Sequence, residues 1–144
     1  MKLIFCILFN FLLLNTLQAQ KYTEQYIREA NSLGFTWWFQ VNNDNYKEAY
    51  ESLSIELKEK MTMEKWTSQM SILMEEFGEI QNRQVINTEF KSEIEGLDDG
   101  FYVIIEYEVN YTKTRNHIEY LLLRQNDKLK WKIIDFQYQF QQLE

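Results

Sequence analysis

The hydrophobic period of this chain changes once. From Tyr22 to Phe77 apolar residues recur at steps of three and four; beyond Gly78 they alternate. The first period is that of helices and the second that of half-buried strands. Ile27, Ala30, Gly34, Trp37, Trp38 and Val41 share one stripe, which predicts a helix from Tyr22 to Val41, ended by Asn42-Asn43-Asp44. A second helix is predicted from Tyr46 to Lys58. Tyr46, Ala49, Tyr50 and Leu53 form its inner face, and Asn45 and Glu48 have capping-box spacing. A third starts at Thr62, a residue type that favours the N-cap. It carries Trp66, Met70, Leu73 and Phe77 inward and ends at Gly78, where a left-handed residue closes a helix.

Past Gly78, Ile86, Thr88, Phe90, Ser92 and Ile94 alternate with polar residues and predict a strand. Gly96-Leu97-Asp98-Asp99-Gly100 is turn chemistry. Phe101 to Tyr111 follows as a long strand with Phe101, Val103, Ile105, Tyr107, Val109 and Tyr111 on one face. A polar loop at Thr112 to Asn116 leads to a strand from His117 to Arg124. Asn126-Asp127 turns the chain into a last strand from Leu129 to Phe140. Consecutive hairpins make an antiparallel meander. The expected fold is α+β, three N-terminal helices packed on a curved four-stranded antiparallel sheet.

The residues before Tyr22 have a different character. Lys2 precedes an apolar run from Leu3 to Leu14, and Leu17 and Ala19 stand two apart before Gln20. A positive start, an apolar middle and a small residue at a cut are the order of a secretory signal peptide. Residues 1–19 are therefore read as a leader cleaved after Ala19. The run falls short of the roughly twenty residues a membrane span needs. The expected product is residues 20–144, one domain exported to the periplasm or the medium and free of the membrane. The sole cysteine, Cys6, would leave with the leader. The domain then has no thiol chemistry and no disulfide, and its core must hold it together. Four Trp, nine Tyr and ten Phe supply the bulk for such a core.

The net charge of −7 opposes a nucleic-acid partner. Lys113, Arg115, Lys128, Lys130 and Lys132 are the nearest thing to a basic patch, and Asp127 interrupts them; they read as solvated hairpin ends. Zinc needs three or four ligands, and one histidine cannot supply them. That residue, His117, is expected to face solvent at a strand end. Glu93, Glu95, Asp98 and Asp99 lack the spacing of a calcium loop and read as a solvated turn. No cofactor motif is present.

Two sets of residues remain as candidates. Asp135 lies between Ile134 and Phe136 in an apolar strand. A carboxylate held in a core can act as a base; otherwise it marks a bulge or pairs with Arg83 or Arg124. Trp37, Trp38, Tyr46, Tyr50 and Trp66 project toward one sheet, where they line a pocket for a small apolar ligand or simply fill the core. Tyr102 and Ile104 make the second strand apolar on its other face too, and Tyr120, Leu122, Phe136, Tyr138 and Phe140 extend the apolar surface. A homodimer through the outer sheet face would cover it.

The motifs so placed resemble one family. Phe77-Gly78-Glu79-Ile80 followed by Arg83 is similar to the helix-to-strand junction of the bacterial domain of unknown function 4019 family. Gly96 to Gly100 before Tyr102 resembles its glycine-rich turn, and Trp131-Lys132-Ile133 with Phe136 its C-terminal signature. Trp37 and Tyr46 fall where that family places aromatics. The turn lacks the family's proline near Asp98, and Glu75 and Glu76 stand where the junction has an arginine. The architecture is similar to the nuclear-transport-factor-2-like, or cystatin-like, superfold. The resemblance implies export and a compact domain, but no activity, and fold alone does not give one. The reading is an exported binding or interaction domain without an assembled catalytic site. The alternatives are a small-molecule isomerase or hydrolase with Asp135 as base, or an assembly subunit.

Overall fold

The structure, a computed structural model, describes the backbone of residues 2–143 and the side chains of residues 20–143. The expected leader, residues 1–19, and its expected cleavage after Ala19 lie outside the residues whose side chains are described. Four helices precede four strands: α1 (Lys2–Asn42), α2 (Tyr46–Glu51), α3 (Ile55–Lys60), α4 (Met63–Phe77), β1 (Ile80–Lys91), β2 (Tyr102–Tyr111), β3 (Thr114–Gln125) and β4 (Trp131–Gln142). The strands form one antiparallel sheet in the order β1-β2-β3-β4. The α+β meander expected from the alternation is therefore the fold. Among the described residues no helix is long and apolar enough to cross a membrane.

The α1 stripe packs on the sheet as the spacing requires. Ala30, Trp37, Trp38 and Val41 are buried. Gly34 lets the helix come close: an added Cβ would lie 2.5 Å from the Tyr107 hydroxyl oxygen and 3.1 Å from Ile105 Cδ1. Val103, Ile105, Tyr107, Val109 and Tyr111 of β2 present the opposing face and are buried, while Phe101 falls just outside the strand and is exposed. Burying side chains of this size stabilises by roughly 1.5–3 kcal/mol each.

The expected second helix is two helices. The backbone at Leu53 leaves the helix to bridge Ile133 in parallel. Ser54 N–H donates to Ile133 O at 2.8 Å and Ile133 N–H to Ser52 O at 3.0 Å. Bonds to β4 thus replace those the helix would have made, and Ser54 restarts it by accepting from Leu57 N–H. Asn45 precedes α2 but makes no side-chain cap. Thr62 does cap α4, accepting from Lys65 N–H. Gly78 has a positive φ of 83° with an extended ψ of −163°, so it turns the chain into β1 without an αL close.

Strand limits shift for local reasons. β1 begins at Ile80, six residues before the alternation shows, because Gln81, Asn82 and Gln84 are exposed polar residues of an edge strand. Bulges between Ile80 and Asn82 and between Val85 and Asn87 reset its alternation, and Ile86 is left exposed. β3 begins at Thr114. A register shift between Arg115 and Ile118, with Asn116 at φ 50°, turns His117 inward. The histidine is wholly buried, not solvent-facing as expected. Phe136 packs on Trp37 and Trp38, and Tyr138 and Phe140 on Phe77. These three belong to the helix-covered face and add nothing to the outer one.

Candidate functional site

The five aromatics singled out by sequence do not line one cavity. All are buried. Trp37 and Trp38 meet edge to face with centroids 4.6 Å apart, and Trp66 stands 6.3 Å from Trp37 and 5.8 Å from Tyr50. Tyr50 donates to Met61 O at 2.8 Å and Tyr46 to Asp44 Oδ1 at 2.8 Å. Only Trp37 and Trp66 reach an apolar groove, a space of about 550 Å³ between α3, α4 and β4. Leu57, Met61, Met70, Leu73, Ile133 and Phe136 make its walls apolar. Lys60, Gln69, Glu76 and Asp135 supply the polar groups.

Asp135 sits next to the bulge at Ile134, where Leu122 pairs with Asp135 and Leu123 with Ile133. Its carboxylate accepts from Phe136 N–H at 2.9 Å and from Gln137 Nε2 at 2.7 Å. Neither Arg83 nor Arg124 pairs with it. Arg124 lies 3.5 Å from Asp98 Oδ2 and 3.9 Å from Glu56 Oε1. The carboxylate is half-buried, at the border of the groove.

Arg83 belongs to a cluster that local sequence patterns did not reveal. Its Nε donates to Glu119 Oε2 at 2.9 Å, and Nη2 donates to Tyr111 Oη at 2.6 Å and Glu119 Oε1 at 3.3 Å. Tyr111 in turn donates to Glu119 Oε1 at 2.9 Å. Glu119 is wholly buried. The Trp38 ring stacks on the guanidinium 3.7 Å away, a cation–π contact. His117 Nδ1 shares a 2.9 Å hydrogen bond with Thr114 Oγ1, and Nε2 lies 3.4 Å from Glu119 Oε1 without hydrogen-bond alignment. A readable signal did exist. In the expected strand from His117 to Arg124, Glu119 falls on the same face as Leu121 and Leu123. A carboxylate on an apolar face needs a cation, and Arg83 is 36 residues away.

Burial acts on the tyrosines of this region. It raises the phenols of Tyr107 and Tyr111 above their ordinary range, and the Glu119 charge adds to both. Burial and the bond to Asp44 push Tyr46 up to about 12. A raised folded-state value means the native state resists losing the proton. Stability is then fully present below about pH 10, where free tyrosine ionises, and falls as pH climbs through the folded values. Denaturant midpoints measured from about pH 9 to pH 12 are expected to drop steeply above pH 10, and Tyr111→Phe to flatten that slope.

The remaining charged candidates serve local structure. Lys113 Nζ donates to Glu75 O at 2.7 Å and Lys132 Nζ to Glu51 O at 2.8 Å. Both cations thus cover the negative ends of helices, α4 and α2, and are not part of one patch. Glu93, Glu95, Asp98 and Asp99 are exposed around the turn at Gly96. Among the described residues no three histidine, cysteine or carboxylate side chains converge on a metal position.

A family model described as "Protein of unknown function (DUF4019)" matches residues 34–136, from the close-packed Gly34 to Phe136 in the wall of the groove. No curated protein and no solved structure matches the chain.

Proposed function

The chain belongs to the DUF4019 family of proteins of unknown function, and from that premise we propose an exported domain that binds a small apolar molecule in the groove between α4 and β4. One observation carries this reading. The groove has the size of ordinary ligand pockets, roughly 300–1,000 Å³, with apolar walls and a few polar groups at its border. Trp37 and Trp66 give it rigid surfaces for a ring or chain. Export rests on Lys2, the apolar run from Leu3 and the small residue at Ala19.

Native mass spectrometry of the protein purified from its own cell envelope tests both parts. The expected species starts at Gln20 and carries an extra mass that denaturation releases. Leu73→Trp, which fills the groove, should abolish that mass while leaving the fold intact. A bare chain starting at Met1 would remove both halves of the proposal.

Asp135 favours a second reading, because its carboxylate borders the same groove. An isomerase or hydrolase using it as a base would lose turnover in Asp135→Asn but keep its ligand. A pure binding domain has no turnover to lose. The outer sheet face is where we propose a second copy could sit, over half-buried Ile104, Ile118, Tyr120, Leu122 and Ile134. A solution mass of one chain at high micromolar concentration removes that proposal.

A further inference from the structure

We propose a second binding site, independent of the α4–β4 groove, that takes the carboxylate of an amphiphile between α1 and β1. A cavity of about 380 Å³ opens there, separate from the groove. Its inner end is donor-rich. The Arg83 guanidinium spends Nε and Nη2 on Glu119 and Tyr111, and its Nη1 has no hydrogen-bond partner among the described residues. Tyr107 also lines the cavity, is 3% exposed, and its buried hydroxyl has no hydrogen-bond partner. Gly34 packs against that oxygen from the helix side. A buried hydroxyl left unpaired is costly, because buried polar groups are nearly always satisfied. A ligand with two acceptor oxygens on one carbon would satisfy both. One carboxylate oxygen can accept from Arg83 Nη1, the nitrogen not already spent, and the other from the Tyr107 hydroxyl, and hydrogen bonds to a charged acceptor are stronger than neutral ones.

The outer end has the opposite character. Phe35, Phe39 and Val85 line the cavity and are exposed. Phe35 and Phe39 stand one helical turn apart on α1, so they form a continuous track from the Arg83 end to solvent. Apolar residues outside and donors inside fit a molecule with an acidic head and a hydrocarbon body. Screening at physiological salt cuts the repulsion from the net charge of −7 off beyond about 8 Å, so the groups next to the cavity decide whether an anion binds.

The test is calorimetric titration of the full chain with sodium decanoate, with 1-decanol as the uncharged probe of equal length. Decanoate should bind one per chain, and decanol at least about tenfold more weakly, the loss expected for one charge-assisted bond. Tyr107→Phe should weaken decanoate by about tenfold without lowering the thermal midpoint, because it deletes an unpaired hydroxyl. Phe39→Ser, a surface change, should weaken both probes. Equal affinity for decanoate and decanol would overturn the proposal, as would no binding of decanoate at millimolar concentration. Binding that survives Tyr107→Phe but is lost in Leu73→Trp would place decanoate in the α4–β4 groove and also overturn it.

Discussion

Glu119→Ala is expected to lower stability by about 3–5 kcal/mol, the range for removing one partner of a buried ion pair. The carboxylate is wholly buried and accepts three hydrogen bonds, two from Arg83 and one from Tyr111. Alanine leaves the guanidinium 11% exposed, beneath Trp38, with no counter-charge in contact. Glu119→Gln keeps an acceptor for one donor and should lose less. Replacing both ions, as Arg83→Met with Glu119→Leu, should lose less than the sum of the single changes, since neither charge is then stranded. Chemical denaturation of the four proteins gives the coupling directly. A double variant as unstable as the sum would show that the two residues act separately, against the geometry.

Phe77→Ala is the second large effect, expected at about 3–5 kcal/mol. The ring is fully buried at the end of α4. It lies 4.4 Å from His117, 5.1 Å from Phe140 and 5.2 Å from both Tyr111 and Tyr138, centroid to centroid. These four come from β2, β3 and β4, so one side chain fastens the helix to three strands. Its carbonyl also accepts from Lys113 N–H at 3.1 Å. Phe77→Leu keeps most of the volume and should cost clearly less. Urea unfolding should show a lower midpoint with an unchanged slope. A changed slope would mean that α4 detaches on its own before the sheet opens.

What could be read from the sequence was what depends on near neighbours. The α1 stripe, the Thr62 cap and the alternation of β2 are local, and the structure keeps them. The break at Leu53 was hidden because Tyr46 to Lys58 has a sound helical pattern; the bond to Ile133, 80 residues on, decides it. His117 was misplaced because a positive φ at Asn116 has no signature in hydrophobic alternation. The ligand-pocket aromatics were recognised as a set, yet sequence could not divide them. Trp37 and Trp66 reach the groove, Trp38 covers Arg83, and Tyr46 and Tyr50 bond to nearby chain. The Arg83–Glu119 pair joins two strands that are not neighbours in the sheet, with β2 between them. Only the side-chain reach across that strand reveals it.

The bridge from Leu53 to Ile133 has a consequence for how copies of this chain meet one another. β4 is an outermost strand, and such a strand offers unpaired N–H and C=O groups to any other chain. At Ile133 both groups are already taken, by Ser52 and Ser54. On the opposite margin, the two bulges of β1 interrupt the regular row that an added strand would need. The segment that looked like a flaw in a helix therefore blocks an added strand at the Ile133 end of that margin, a protection that matters most for a protein with this many aromatic side chains.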